Sequence, residues 1–320
     1  MRALILDPSG TMRLGGRDKP LAELECVIRV LAAGICGTDL ELMRGYAGFS
    51  GVPGHEFVGV VEDAPPKDAG WIGRRVTGEI TVGCGTCDGC RVAGRGHCDR
   101  RSVLGIIGRD GAFAEYLSLP AANLHRIPDG VSDEAAVLVE PLAAACRVLE
   151  QIAVTASTRS AVVGPGRLGL LVALVLRAAG AGVTIAGRGD ARLTLARTLG
   201  FRTMNGEQLG AAARQFDVVV DATGRPEGLA TARTLVRPRG TIVLKSTFHG
   251  ETHVAFAPLV VDEITLVGSR CGPFDAAVDL LASGRIDTRP LVDAVYPLDR
   301  FTDAFAEATA GRKVLLRPCD

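Results

Sequence analysis

The segment SAVVGPGRLGLLVALVLRAAG, residues 160–180, constrains the fold more than any other part of the chain. A short apolar run breaks into Gly164, Gly166 and Gly169, and a helical pattern opens directly behind them over 167–179. The first glycine permits a tight turn, the second lets a pyrophosphate approach the backbone, and the third lets the helix lie against the strand. Arg167 and Leu168 sit between the second and third glycines and are read with them as cofactor-binding. Alone, such a motif is a weak signal; the strand before it and the helix after it make this one specific. The same texture continues through GVTIAG, DARLTLARTLG, DVVVDATG, GLATARTLVRPRG and TIVLK. Strands alternating with helices of this length predict βαβ crossovers and a doubly wound parallel sheet, a Rossmann domain of the α/β class.

The end of the second strand discriminates between dinucleotides. A carboxylate there accepts the adenosine ribose hydroxyls of NAD. This chain has Gly187, followed by Arg188. Without the carboxylate a 2′-phosphate is not repelled, and a guanidinium fork binds it bidentately, so NADP is expected in preference to NAD. Arg192 falls on the same face if the helix begins near Asp190, which is expected to be its N-cap. The competing reading gives Asp190 to the ribose of NAD.

Residues 1–130 differ in texture. Short runs such as CVIRVLAAG, FVGVVEDA and AFAEYLSLP lie between Gly and Pro turns, the pattern of an irregular, mainly β domain. SDEAAVLVEPLAAACRVLEQI, with Ser132 as its N-cap, then runs helical and marks a boundary. The last stretch returns to mixed helix and strand. Two domains are therefore expected, residues 1–141 with 276–320, and residues 142–275.

Within the first domain, CGTCDGCRVAGRGHC places Cys84, Cys87, Cys90 and Cys98 in fifteen positions. The chain's nine cysteines are otherwise scattered and odd in number, which does not read as a disulfide framework. Four thiolates on a tight loop suit one tetrahedral zinc, and four protein ligands leave no open position, so this is a structural metal. An iron–sulfur cluster is disfavoured because the loop lacks the Cys-Pro ending of the ferredoxin run.

A second set of ligands is dispersed. GICGTDLE holds Cys36, GHEF holds His55, and VEPLA holds Glu140. Together they make a three-ligand set with the fourth position open to water or substrate, the catalytic kind of zinc site. On CGTD, GHEFVGVV, the four-cysteine loop, GAFAEYLSLPAANLHRIPDGVSDEAA, VEPLA, VVGPGRLG and LLASGRID, the chain resembles the zinc-dependent medium-chain alcohol dehydrogenases and reductases, in the branch of polyol, threonine and glucose dehydrogenases. The resemblance spans essentially the whole length. It implies a GroES-like catalytic domain beside the Rossmann domain, and two zincs per chain. It also implies reversible hydride transfer between an alcohol or carbonyl and the nicotinamide. By the same resemblance Glu56 coordinates the catalytic zinc transiently. Asp39 orients His55, and Thr38 relays the substrate proton. Lys313 contacts the pyrophosphate, and Lys245 lies toward the substrate. Where relatives carry a histidine three residues after the relaying hydroxyl, this chain has Glu41. Homodimers or homotetramers, paired through the edge of the cofactor-domain sheet, are implied as well.

Lysine plus arginine and aspartate plus glutamate both number 36. This balance gives no pull toward nucleic acid or an anionic membrane. MRALILDPSG has no long apolar run with a cleavage site, and LGLLVALVL is far short of a span, so a cytoplasmic protein is expected. Two further readings are a zinc-free quinone or enone reductase of the same fold, and a nucleotide-binding sensor without turnover.

Overall fold

The structure is a computed structural model describing residues 1–247 and 251–319, apart from the side chains of residues 190, 191 and 207. The chain divides into two compact units, Met1–Glu140 with Phe274–Asp320, and Pro141–Pro273. It crosses between them inside the helix Val139–Gln151 and again just before the helix Phe274–Ala282.

The first unit is built on a seven-stranded sheet. Its order is Ala294–Pro297, Val314–Arg317, Cys26–Gly34, Glu56–Asp63, Arg75–Gly78 and Leu124–Arg126, with Tyr116–Leu119 also pairing to Cys26–Gly34. The long central strand CVIRVLAAG is buried almost throughout, as expected where both faces are covered. Its antiparallel partner runs in the register Gly34↔Glu56, and on its other side Leu315 pairs with Gly34. Three segments distant in sequence, those around Cys36, His55 and Lys313, are thereby delivered to one end of the sheet.

The second unit is a six-stranded, wholly parallel sheet ordered Arg202–Met204, Gly182–Ala186, Arg159–Val163, Phe216–Asp221, Val236–Leu244 and Thr265–Gly268. The helix Arg167–Ala178 is apolar nearly all round, and residues 169–176 are all buried. That is the pattern of a helix packed inside a layer rather than one with a wet face. Ala161, Val163, Ala186, Val219 and Ile242 form a separate core cluster with Ala232 and Leu235 of the helix Gly228–Leu235.

Two local expectations are corrected. Ser132 does cap a helix, its Oγ accepting the Ala135 N–H at 3.3 Å, but that helix ends at Val137 and a second begins at Val139. Asp190 is the first helical residue rather than the N-cap; Gly189, in extended conformation, takes that place. No helix among the described residues is long and apolar enough to cross a membrane.

Candidate functional site

Cys36 ends the strand-to-helix turn and is the N-cap of the helix Gly37–Leu42. Three residues on, Asp39 is fully buried; its Oδ2 accepts the Cys36 N–H at 2.7 Å, and its Oδ1 lies 3.5 Å from His55 Nδ1. With Nδ1 turned to Asp39, Nε2 is the nitrogen left for a metal, the arrangement in which an outer carboxylate fixes a ligating imidazole. Cys36, His55 and Glu56 each present a ligand atom, and the three atoms lie within 4.8 Å of one another. Glu140 is buried at the start of the helix Val139–Gln151, but it is not part of this group. The carboxylate that the fold brings to Cys36 and His55 is thus Glu56, and the expected trio with Glu140 is not the one assembled here.

These residues fit a divalent ion. Burial is the largest influence on His55 and opposes its charge, yet the neighbouring Asp39 and Cys36 outweigh it and hold the imidazole well above its usual 6.5. A proton on His55 therefore stands in for a cation among anionic ligands, and metal binding would displace it. Asp39 Oδ1 and His55 Nδ1 face each other at 3.5 Å and have no other hydrogen-bond partner among the described residues. Asp39, His55 and Glu56 are buried whereas Cys36 and Thr38 are partly exposed, so Cys36 is the most accessible of the three ligand residues. Thr38 Oγ1 lies 3.8 Å from Cys36 Sγ. Glu41 is on the same short helix, partly exposed, and pairs with Arg44 at 2.6 Å.

Lys313 is placed differently from expectation. Its ammonium, 2% exposed, donates to Glu56 Oε2 and, at 3.2 Å, to the Ile35 carbonyl. The register already described explains this: Lys313 directly precedes the strand paired to Gly34, while Glu56 stands opposite Gly34 on the other side. The pair closes over the space where Gly34 lacks a side chain; a Cβ there would sit 2.4 Å from Glu56 Oε2 and 2.9 Å from Lys313 Nζ. The ammonium, expected at the pyrophosphate, is here paired with a carboxylate.

The second candidate metal cluster, Cys84, Cys87, Cys90 and Cys98, is compact. Cys87 and Cys98 sulfurs lie 3.8 Å apart, and those of Cys84 and Cys90 lie 4.0 Å apart. Sulfurs held at 2.3 Å around a tetrahedral ion are separated by about 3.8 Å, so the cage has the dimensions of zinc. Gly94, at φ 87°, makes the turn that returns Cys98 to the others. Backbone N–H groups of Cys84 and Arg100 donate to Cys98 Sγ at 3.3 Å each, and that of Cys90 to Cys87 Sγ at 3.4 Å. Backbone hydrogen bonding from Thr86 pulls Cys84 down to about 5, while desolvation and the other sulfurs push Cys90 up to about 12. Thiols that cannot all ionise together lack a shared cation, and Zn²⁺ supplies one.

In the second unit, the ends of the strands Arg159–Val163, Gly182–Ala186 and Phe216–Asp221 open onto a cavity of about 400 Å³. Gly164, Gly166, Gly187, Arg188 and Arg192 line it. Gly164 turns at φ 107°, and Gly169 faces its carbonyl so closely that a Cβ would lie 1.9 Å away. Gly169 therefore serves helix packing, while Arg167 and Leu168 begin the helix. Sequence reading missed Arg225, which also lines the cavity. Its loop is anchored by Asp221, whose Oδ1 accepts from Thr223 N–H, Thr223 Oγ1 and Ser246 Oγ at 2.8–3.0 Å. DATGRPEG follows a strand of a parallel sheet, and ligands gather at the carboxyl ends of such strands; that was the available signal.

Lys245, expected toward the substrate, is engaged within its own unit. It is 7% exposed, and its ammonium donates to Ala144 O at 2.7 Å, Arg270 O at 2.6 Å and Ser269 Oγ at 3.2 Å. Three donors on three acceptors tie the strand end to neighbouring backbone.

Comparison with known proteins identifies the family. Residues 22–129 match the family described as alcohol dehydrogenase GroES-like domain, and residues 168–283 match zinc-binding dehydrogenase. The chain is 34% identical to an L-threonine 3-dehydrogenase of Streptomyces avermitilis, over 93% of this chain and 94% of the relative. Among solved structures it superposes on a short chain alcohol dehydrogenase (rspB) of Escherichia coli CFT073 complexed with NADH, with TM-score 0.92, 29% identity and 99% of each chain covered. It likewise superposes on a zinc-binding dehydrogenase from Sinorhizobium meliloti 1021 bound to NADP, with TM-score 0.91, 28% identity and the same coverage. One neighbour carries each cofactor, so likeness alone does not choose between them. With two family models of this kind along its length and a relative 34% identical over 93% of it, the chain belongs to the zinc-dependent medium-chain dehydrogenases/reductases.

Proposed function

We propose that this protein is a zinc-dependent oxidoreductase that moves a hydride between an alcohol or polyol, or the matching carbonyl, and NADP(H). The observation that carries the reading is the Cys36–His55–Glu56 group, buttressed by buried Asp39, with Cys36 its most accessible member. A zinc held there supplies Lewis acidity, which makes a hydroxyl acidic near neutral pH and polarises a carbonyl. Cys36 and His55 hold the ion, and a carboxylate from Glu56 or Glu140 completes the set, leaving one position for substrate. Asp39 fixes the tautomer of His55. Thr38, beside Cys36, takes the substrate proton, and partly exposed Glu41 on the same helix passes it toward solvent. Cys84, Cys87, Cys90 and Cys98 hold a second, closed zinc without chemistry.

The NADP preference rests on Gly187 standing where a carboxylate would serve NAD, with Arg188, Arg192 and Arg225 lining the same cavity. A homodimer, in cytoplasmic surroundings, fits an exposed sheet edge. Thr265–Gly268 ends the parallel sheet, and the preceding helix leaves Phe256, Val260 and Val261 each more than 65% exposed.

The test joins metal analysis to turnover. Two zincs per chain and reduction of NADP with a panel of alcohols and polyols are expected. Cys36→Ser is expected to keep the fold and one zinc while losing turnover. One zinc in the unaltered protein, or full activity in Cys36→Ser, overturns the reading in favour of a zinc-free reductase or a nucleotide sensor.

A further inference from the structure

Gly187 has a reason to be glycine that its backbone does not supply. Its φ is not in the left-handed region, so what excludes a side chain is space. A Cβ at 187 would lie 2.7 Å from Pro165 Cγ, 2.8 Å from Pro165 Cδ and 3.3 Å from Leu193 Cδ2. Approaches below 3.0 Å require something to move. The Pro165 atoms belong to a ring closed on its own backbone and cannot swing aside like the end of a flexible chain.

Nor can the two backbones part freely. Gly164 N–H donates to the Ala186 carbonyl at 2.9 Å, tying the residue before Pro165 to the residue before Gly187. Gly187 N–H in turn donates to the Met204 carbonyl at 3.0 Å, holding it to the next strand. Pro165 and Gly187 are thus locked face to face at the rim of the cavity that both line.

We propose that Pro165 is a specificity-determining residue: its ring holds position 187 to glycine and so keeps a ribose-binding carboxylate out of the adenosine end of the cavity. This rests on the assignment of that cavity to NADP. Discrimination is then a property of two residues from two loops. Arg188 and Arg192 attract the 2′-phosphate, and Pro165 prevents the usual anionic competitor from being installed beside them. Replacing Gly187 by aspartate alone, the direct route to NAD use, is blocked sterically and succeeds only after the ring is cut back.

The experiment compares Gly187→Asp with Pro165→Ala/Gly187→Asp, titrating NADH and NADPH by fluorescence and recording thermal melts. Gly187→Asp is expected to melt below the unaltered protein and to gain no NADH affinity. The double variant is expected to recover the melting temperature and bind NADH at least about tenfold more tightly than the single one, the scale of one well-made charge-assisted pair. If the single variant binds NADH as tightly as the double, or melts with the unaltered protein, the proposal is overturned. If Gly187→Asp does not fold, the pair Gly187→Ala and Pro165→Ala/Gly187→Ala decides: a lower melt rescued by the second change supports the interlock, and an unchanged melt in Gly187→Ala defeats it. Failure of the NADP reading is separately visible, as tighter binding of NADH than NADPH by the unaltered protein, and the single-versus-double comparison still judges the interlock.

Discussion

Lys313 and Glu56, 257 positions apart, form a buried ion pair across the bare backbone of Gly34. Removing one partner of such a pair strands a charge in a site with little water. Lys313→Met should therefore cost about 3–5 kcal/mol in urea unfolding of the metal-free protein. Lys313→Met/Glu56→Gln should regain much of that, because neither charge is then left alone. NADPH affinity should be unaltered in Lys313→Met; a large loss would restore the pyrophosphate role that the observed pairing takes away.

How this pair escaped the sequence shows where reading along the chain stops. Local spacing made the four-thiol loop and the glycine turn legible, because a loop or turn gathers its own residues. Lys313 meets Glu56 only through the pairings Leu315↔Gly34 and Gly34↔Glu56, and no local pattern states a register. The same limit applied to the carboxylate: Glu56 and Glu140 are equally plausible donors by residue type, and tertiary placement put Glu56 in the group. The engagement of Lys245 was hidden in the same way: three acceptors, at 144, 269 and 270, converge on it, and none of them is near it in sequence.

For the nucleotide cavity, Arg188→Ala and Arg225→Ala should each weaken NADPH while leaving NADH nearly unchanged. A charge-assisted hydrogen bond to phosphate is worth about 1.5–3 kcal/mol, roughly a 10- to 100-fold loss of affinity. Calorimetric titration with both cofactors reads this directly. Equal losses for NADH and NADPH would mean that these arginines contact the shared parts of the dinucleotide.

Cys98 is the innermost thiol of its cage, fully buried and accepting two backbone N–H groups. Cys98→Ser should release the structural zinc and leave one metal per chain. The segment 84–101 should become the first site of limited proteolysis, and the melting temperature should fall. Retention of two zincs by the variant would count against the four-thiol assignment.

His125 offers a pH-dependent contribution. Its Nδ1 lies 2.6 Å from Asp275 and its Nε2 3.4 Å from Glu79, and its ring stacks on Phe274 at 5.1 Å. Burial, the largest influence, lowers its pKa, but the two carboxylates outweigh it and raise the folded value above the usual 6.5. The group binds its proton more tightly when folded, so its stabilisation is fully present below about pH 6.5 and fades as pH rises through the raised value. The melting-temperature difference between the unaltered protein and His125→Gln should be largest at acid pH and shrink toward alkaline pH. High salt should reduce it, since Asp275 is largely exposed. A gap constant with pH would leave His125 a packing residue only.

The catalytic unit is assembled from the two ends of the chain around an inserted nucleotide-binding unit, and the pairing that neutralises Glu56 comes from residue 313. During synthesis Cys36, His55 and Glu56 leave the ribosome hundreds of residues before their counter-charge. Until Val314–Arg317 docks beside Gly34, the nascent pocket holds an uncompensated acid that favours early capture of a cation; once docked, the Lys313 ammonium competes for the same carboxylate.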